Sequence, residues 1–313
     1  MAGRIGDRLE RVTSADTAPQ PDSQPESQPA PVVHANANAP KAEGALRLAT
    51  VNVNGIRAAH RKGMGAWFAG RGIDILTLQE VRAPKEIVEN LLEEITGQNW
   101  HVVETEAAAK GRAGVAIATT LEPLQTRVGI GDSYFDDSGR WIETDLTAPD
   151  GKTLTVVSAY VHSGDVGTPK QVDKYRFLDE MVRHLPELRA TKDYAVLTGD
   201  LNVGHTTRDI KNWKGNTKKA GFLPEERAYF DRFFGEEIGY VDVARQLAGD
   251  VEGPYTWWSM RGQAFDNDTG WRIDYQAATP ELAAKATGAV VDRAPSWNTR
   301  FSDHAPLVVD YQF

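Results

Sequence analysis

Short apolar runs that end in polar residues organise most of this chain. Leu46-Arg47-Leu48-Ala49-Thr50-Val51 alternates like a half-buried strand and runs into Asn52-Val53-Asn54-Gly55. Ile73 to Leu78 is a second apolar strand, ending in Gln79-Glu80. Ala195-Val196-Leu197 reads as a buried strand closed by Thr198-Gly199, with Asp200 and Asn202 two residues apart beyond it. If the strand direction persists through them, those two side chains leave the backbone on the same side. Further strands are predicted near 100–104, 113–119, 140–147, 153–161, 271–277, 288–292 and 305–312.

Helical spacing appears between these runs. Residues 58–70 read as one helix. Pro84 opens another, with Ile87, Val88, Leu91, Leu92 and Ile95 on its apolar face. Pro169 opens a helix over 169–189, striped by Tyr175, Leu178, Met181, Val182 and Leu185. A long polar loop, 203–221, precedes a helix at 224–234. Strands mixed with helices without strict alternation predict an α/β or α+β sandwich rather than a doubly wound sheet.

Composition changes this picture at the N-terminus. Residues 1–44 hold six of the 16 prolines, and no Phe, Trp or Tyr occurs before Trp67. Such a segment buries too little to offset its ordering entropy, so a disordered tail is expected, compatible with at most a short helix over 4–12. Residues 45–313 are expected to form one catalytic domain. The absence of cysteine excludes disulfides, thiolate zinc sites and cysteine nucleophiles. No apolar run approaches the roughly 18 residues of a membrane helix, and the tail has no secretory h-region. The net charge of -9 weighs against a nucleic-acid partner unless basic residues cluster locally or a metal bridges to phosphate.

Candidate chemistry sits at the strand ends. Asn52, Glu80, Asp200 and Asn202 follow apolar strands, and Tyr160 ends Leu154–Ala159. Asp274 lies within Trp271-Arg272-Ile273-Asp274-Tyr275, and Ser302-Asp303-His304 precedes the last strand. A turn or a surface acid explains any one of them. Six such strand-end coincidences in one chain are hard to assign to turns alone, since loops at a rigid sheet edge are where sites are built. Glu80, Asp200 and Asp303 with two Asn side chains make an oxygen-rich set suited to magnesium or manganese. A histidine such as His304 can work as acid or base near neutral pH, and a carboxylate such as Asp274 could fix its tautomer. A hard cation, a His–carboxylate pair and a Tyr hydroxyl suit phosphoester hydrolysis. There is no Walker loop and no Gly-x-Ser-x-Gly elbow.

Thr50-Val51-Asn52-Val53-Asn54-Gly55-Ile56-Arg57, Leu78-Gln79-Glu80, Gly199-Asp200-Leu201-Asn202, Arg272-Ile273-Asp274 and Ser302-Asp303-His304-Ala305-Pro306 occur in that order. In this the chain resembles the endonuclease/exonuclease/phosphatase superfamily, and within it exonuclease III and the abasic-site endonucleases. Lys211-Asn212-Trp213-Lys214-Gly215-Asn216 and Ala220-Gly221-Phe222-Leu223-Pro224-Glu225-Glu226-Arg227 resemble the loop and helix of that DNA-repair branch. The resemblance spans about 46–313 and implies a four-layer αββα sandwich with one cleft fed by both sheets. It implies Glu80 as main metal ligand, with Asn52 and Asp303 beside it, and Asp200, Asn202 and His304 close enough to share the metal shell. Asp200 and Asn202 would position the attacking water and scissile phosphate. His304, paired with Asp274, would contact phosphate or move a proton, and Tyr160 would contact the phosphate. Trp257, Trp271 and Ile273 would surround a flipped-out abasic sugar, whereas Trp258 is expected in the core.

One segment departs from that pattern. After Tyr160 stand His162 and Ser163, where relatives carry Pro and then Asn or Gln. Ser163 lacks the amide that contacts phosphate, and His162 is expected to substitute. Arg57, Arg61 and Lys62, and the loop residues Arg208, Lys211, Lys214, Lys218 and Lys219, supply basic surface for a DNA backbone. The resemblance thus implies a magnesium-dependent, monomeric hydrolase acting on double-stranded DNA with abasic sites or blocked 3′ ends. Its expected activities are abasic-site endonuclease, 3′-to-5′ exonuclease and 3′-phosphatase. Its expected place is the cytoplasm, associated with the nucleoid through DNA. The rivals are a phosphatase of the same superfamily acting on a small phosphoester such as an inositol phosphate, and a non-catalytic DNA-binding module.

Overall fold

The structure, a computed structural model, describes residues 41–109 and 111–313. The short helix expected at 4–12, and all but the last four residues of the expected tail, lie outside the described residues. Residues 41–44 turn into the first strand, and Lys41 pairs with Asp74 at 2.6 Å.

In chain order the elements begin with β1 (Ala45–Asn52), α1 (Ile56–Arg61), α2 (Met64–Ala69), β2 (Ile75–Gln79), α3 (Lys85–Thr96), β3 (His101–Thr105) and β4 (Val115–Thr119). Next come β5 (Gln125–Val128), β6 (Trp141–Thr147), β7 (Thr153–Tyr160), α4 (Pro169–Thr191), β8 (Tyr194–Asp200) and α5 (Pro224–Phe234). The rest are β9 (Val241–Asp242), α6 (Val243–Ala248), β10 (Asp274–Ala278), α7 (Pro280–Ala283), β11 (Ala286–Val291) and β12 (Leu307–Gln312). Two six-stranded sheets result, ordered β11-β12-β1-β2-β4-β3 and β5-β6-β7-β8-β10-β9. In each, one central pair is parallel, β1 with β2 and β7 with β8, and the flanking pairs are antiparallel. The mixed sheets and flanking helices form the expected αββα sandwich.

Period-two alternation explains both the layers and the site. On β1, Ala49 and Val51 face out and pack with Ile56, Met64, Phe68, Val88 and Leu92 of α1–α3. On β7 and β8, Val157, Ala195 and Leu197 face out against Phe177, Leu178, Met181 and Phe230 of α4 and α5. The inner faces meet between the sheets, where Leu48, Ile75, Val156 and Val196 are buried together. Each inner face then turns polar toward one end: Leu48, Thr50, Asn52; Ile75, Thr77, Gln79; Val156, Ser158, Tyr160; Val196, Thr198, Asp200. Hydrogen bonds cross the gap there, Thr77 Oγ1 to Thr198 Oγ1 at 2.7 Å and Gln79 Nε2 to Ser158 Oγ at 3.1 Å. Gln276 Nε2 reaches Leu48 O at 3.0 Å and Leu307 O at 3.1 Å. Each bond nets only about 0.5–1.5 kcal/mol, but a buried donor left unpaired costs about 1–3 kcal/mol, so this seam fixes the lateral register of the sheets.

Several expectations need correction. The helix over 58–70 is two helices, because Gly63 sits at φ 101° between them. The strand expected from 271 starts at Asp274, since Trp271 instead bridges Trp257 and Ile210. The loop 203–221 contains two 3₁₀ turns, at Thr207–Asp209 and Trp213–Gly215. Strands β5 and β9 and helices α6 and α7 were not expected; they are too short for periodicity to register.

Candidate active site

The polar ends of the inner faces converge on a cleft of about 340 Å³. Strand register brings them together: Tyr160 pairs with Asp200 across β7–β8, and Asp200 with Asp274 across β8–β10. The facing sheet brings Asn52, Glu80 and the segment before β12. Asn52 joins the two halves, its Nδ2 donating to Glu80 Oε1 and to Asp200 Oδ2, both at 2.9 Å. Tyr160 OH donates to Glu80 Oε1 at 2.9 Å, and Arg82 pairs with Glu80 Oε2. His304 Nδ1 lies 2.9 Å from Asp274 Oδ2, and its Nε2 points toward Asp200 Oδ2, 3.7 Å away. Asp303 accepts from Asn54 Nδ2 at 3.0 Å and from Trp257 Nε1 at 3.1 Å.

Backbone strain marks the same places. Asn54, Glu80, Arg82 and Asn202 all have φ between 48° and 53°, a region that costs a residue with a Cβ about 1 kcal/mol or more. The strand therefore does not persist from Asp200 to Asn202, as the shared-side expectation required. Both residues line the cleft nonetheless. Asn202 is held by its own N–H to Asp200 Oδ1 and by Nδ2 to Val161 O, at 3.0 and 2.9 Å.

Electrostatics separates the roles. Burial, reinforced by Asp274, pushes Asp200 up to about 7 against the opposing pull of His304. Burial disfavours the charged imidazole of His304, but Asp274 and Asp200 outweigh it and raise the group to about 10. With no metal bound, these carboxylates favour the imidazolium form of His304, anchored by Asp274 with Nε2 toward the cleft. Burial also raises Tyr160 well above its ordinary value, so its hydroxyl stays a neutral donor.

Asp200, Asp274 and His304 bring ligand atoms within 4.8 Å of one another and, with the His304 ring neutral, can chelate a divalent metal. The wider donor set fits a hard cation better still. Glu80, Asp200 and Asp303 face the cleft with carboxylate oxygens, flanked by Asn52 and Asn202.

One wall of the cleft is apolar. Trp257 and Trp271 meet edge to face at 6.0 Å, and Ile273 lines the cleft with them. Arg272 between them points the other way, fully buried against Asp209 at 2.7 Å and Asp242 at 2.7 Å. That network anchors the wall from behind, with Arg245 also on Asp209. Trp258 is buried against Phe265, as expected.

Not every predicted residue joins the cleft. Asn52 and Asp274 sit buried just behind it. Arg57, Lys211 and Lys214 are exposed and do not line it, and Lys211 is paired with Glu252 at 2.5 Å. Ser163 lines the cleft, but His162 does not substitute for the missing amide. Its ring packs against Phe135 and Phe177, and burial lowers its pKa to about 3. Sequence reading missed Arg82 and Arg140. The Arg140 guanidinium sits 4.6 Å from the Tyr160 ring centroid and donates to Tyr160 O at 3.1 Å. It also missed Lys174 and Glu226, a fully buried pair at 2.8 Å. Lys174 Nζ further donates to Asn202 O at 2.9 Å and Ser163 O at 3.3 Å. Glu226 Oε2 accepts from Gly221 N at 2.6 Å and Leu223 N at 3.0 Å.

Residues 49–304 match the family model described as "Endonuclease/Exonuclease/phosphatase family". An exodeoxyribonuclease of Bacillus subtilis is 33% identical over 263 residues, covering 84% of this chain and 98% of the relative. A DNA-(apurinic or apyrimidinic site) endonuclease of Dictyostelium discoideum is 31% identical over 279 residues, covering 88% of this chain and 73% of the relative. The solved structure of an AP endonuclease from Archaeoglobus fulgidus superposes with a TM-score of 0.74 at 29% identity, covering 86% of this chain and 100% of that one.

Proposed function

From the membership of this chain in the endonuclease/exonuclease/phosphatase family, in the branch of exonuclease III and the abasic-site endonucleases, we infer a DNA-repair phosphodiesterase. It cuts the backbone of double-stranded DNA at abasic sites and acts on 3′ ends as exonuclease and phosphatase. The observation that carries this reading is the Asp274–His304–Asp200 array set against Glu80 and Asn52, beside a wall of Trp257, Trp271 and Ile273.

The chain's own residues divide the reaction. Asp200, ionised when it acts, accepts a hydrogen bond from the attacking water and orients it. His304 Nε2–H donates to a phosphoryl oxygen as negative charge grows there, while Asp274 keeps the ring in place. Tyr160, a neutral donor, and Asn202 hold the phosphate. Glu80 and Asp303, with Asn52 alongside, are the residues that would hold magnesium. Asp200 and Asn202 lie within reach of the same shell, and His304 can join it in its neutral form, which leaves a ring nitrogen lone pair free. When bound, the metal supplies a positive charge that offsets the phosphoryl oxygens. The Trp257–Trp271–Ile273 wall suits a bare deoxyribose and discriminates by shape and by ease of extrusion.

The decisive assay is incision of an abasic-site duplex with magnesium, with EDTA, and on a matched intact duplex. Magnesium-dependent cutting at the lesion is expected. No cutting of any DNA, with turnover of a small phosphoester instead, would overturn the reading.

A further inference from the structure

A second recess, of about 290 Å³, adjoins the cleft and shares Asp303 with it. Its walls differ in chemistry from those of the first. Trp297 and Met260 are 46% and 57% exposed. Lys62 and Arg300 bring positive charge to a protein of net charge -9.

Arg300 is the unusual member. It is only 9% exposed, yet its Nη1 has no hydrogen-bond acceptor among the described residues. Its Nη2 meets Met260 Sδ at 2.7 Å, a weak acceptor for a guanidinium. The guanidinium carbon lies 5.2 Å from the Trp297 ring centroid and 5.1 Å from that of Phe265. Asp303 and Asp266 act on it only at longer range. A buried guanidinium with an unfilled donor is costly unless something completes it. A phosphate oxygen would do so, and an exposed indole beside it offers a face for a base.

The position matters as much as the chemistry. The Trp257–Trp271–Ile273 wall, read as a bare-sugar pocket, leaves no place for a nucleotide that keeps its base. The Trp297 recess is lined by different residues and meets the cleft at Asp303. We propose that this recess is a second nucleotide subsite. It takes an unpaired, base-bearing nucleotide next to the scissile phosphate, stacking the base on Trp297 and holding a phosphate on Arg300 and Lys62. The proposal rests on the DNA-phosphodiesterase reading and adds to it a place for undamaged 3′-terminal nucleotides.

The test measures binding without turnover. Duplexes carrying 2-aminopurine, either frayed at a mismatched 3′ end or paired internally, are titrated with protein in EDTA. The wild-type protein should quench the frayed probe. Trp297→Ala should abolish that quenching and weaken binding of the frayed duplex about 5- to 150-fold, the range for losing one base–aromatic stack. Trp297→Phe should restore most of both. Arg300→Gln should lower the salt slope of binding by about one. Should Arg300→Gln fail to fold, the Trp297 pair, on an exposed side chain, decides alone. Unchanged quenching and affinity in a folded Trp297→Ala protein would overturn the subsite. Abasic incision by the wild-type protein in the same preparation separates the two readings. If it cuts while Trp297→Ala binds like wild type, only the subsite is wrong. If it neither binds nor cuts DNA, the underlying function is wrong.

Discussion

Replacing Lys174 by Met should damage the cleft from behind. Both members of the Lys174–Glu226 pair are fully buried, sealed from bulk solvent. Together they tie three stretches of cleft wall: Ser163, Asn202 and the Gly221–Leu223 turn. Removing one partner of a buried pair costs about 3–5 kcal/mol, chiefly because the other charge is stranded. Glu226 keeps its bonds from Gly221, Leu223 and Gln171, which places the loss near the lower end, about 3 kcal/mol. For a domain of this size that is roughly 6–12 °C in Tm. Glu226→Gln strands the lysine instead and removes a charge from two backbone donors. The double variant strands no charge, so its loss should fall short of the summed single losses by about 1–3 kcal/mol. Incision should fall about tenfold to a hundredfold in Lys174→Met below its melting range, since a shift on the order of 1 Å at Asn202 misplaces the phosphate. Thermal melts by circular dichroism and single-turnover incision measure both effects. Losses that simply add, or a Lys174→Met protein melting within about 2 °C of wild type, would refute this reasoning.

Four further outcomes are expected. Glu80→Gln should weaken magnesium binding in calorimetry and lower incision together, and EDTA should abolish wild-type activity; full activity in metal-free buffer would remove the metal from the mechanism. His304→Ala and Asp274→Asn should each lower turnover on the order of 10²-fold with the fold intact, and the double variant should be little worse than either; additive losses would mean they act separately. Trp271→Ala should narrow the ratio of abasic to ordinary internal cleavage while magnesium affinity holds, and a preserved ratio in a folded protein would place the lesion pocket elsewhere. Glu104 is raised by burial, and then by Glu106 and Glu86, from 4.5 to about 7, so folding favours its protonated form. Its stabilising effect is full below about pH 4.5 and is lost as pH rises through 7. Glu104→Gln should therefore stabilise the protein at pH 8, by about 1–2 kcal/mol after allowing for solvent screening of a half-exposed group, and a melt unchanged at pH 8 would contradict this.

What could be read from the sequence was whatever local pattern encodes. Asn52, Glu80, Asp200 and His304 each end or begin an apolar run, so the run itself points to them. That they meet follows from strand register, which the sequence does not display. Asn52 bonds to Asp200 across 148 positions, and His304 to Asp274 across 30. Arg140 and Arg82 carried no signal, because an arginine beside a strand end looks like solvated surface until its partner is placed. Lys174 and Glu226 were invisible for the same reason. A lysine and a glutamate on amphipathic helices count as polar-face residues, yet here both are sealed inside. His162 misled in the opposite direction, since its neighbour in sequence, Tyr160, lines the cleft while its neighbours in space are Phe135 and Phe177.

The pairing of β1 with β12 has a kinetic consequence. Ala45 lies opposite Gln312, and Thr50 opposite Leu307, so this contact closes a loop of more than 250 residues. Such non-local pairings form late, after the entropy of loop closure has been met by other contacts. The segment that enters β12 carries Asp303 and His304, while Asp274 and Asp200, with which His304 interacts, belong to the other sheet. A refolding chain can therefore collapse, form hairpins such as β6–β7, and even complete one sheet without assembling the site. Recovered nuclease activity should track the slowest structural phase of refolding, with no early species that cuts DNA. A repair nuclease built this way stays harmless to the genome until it is wholly folded.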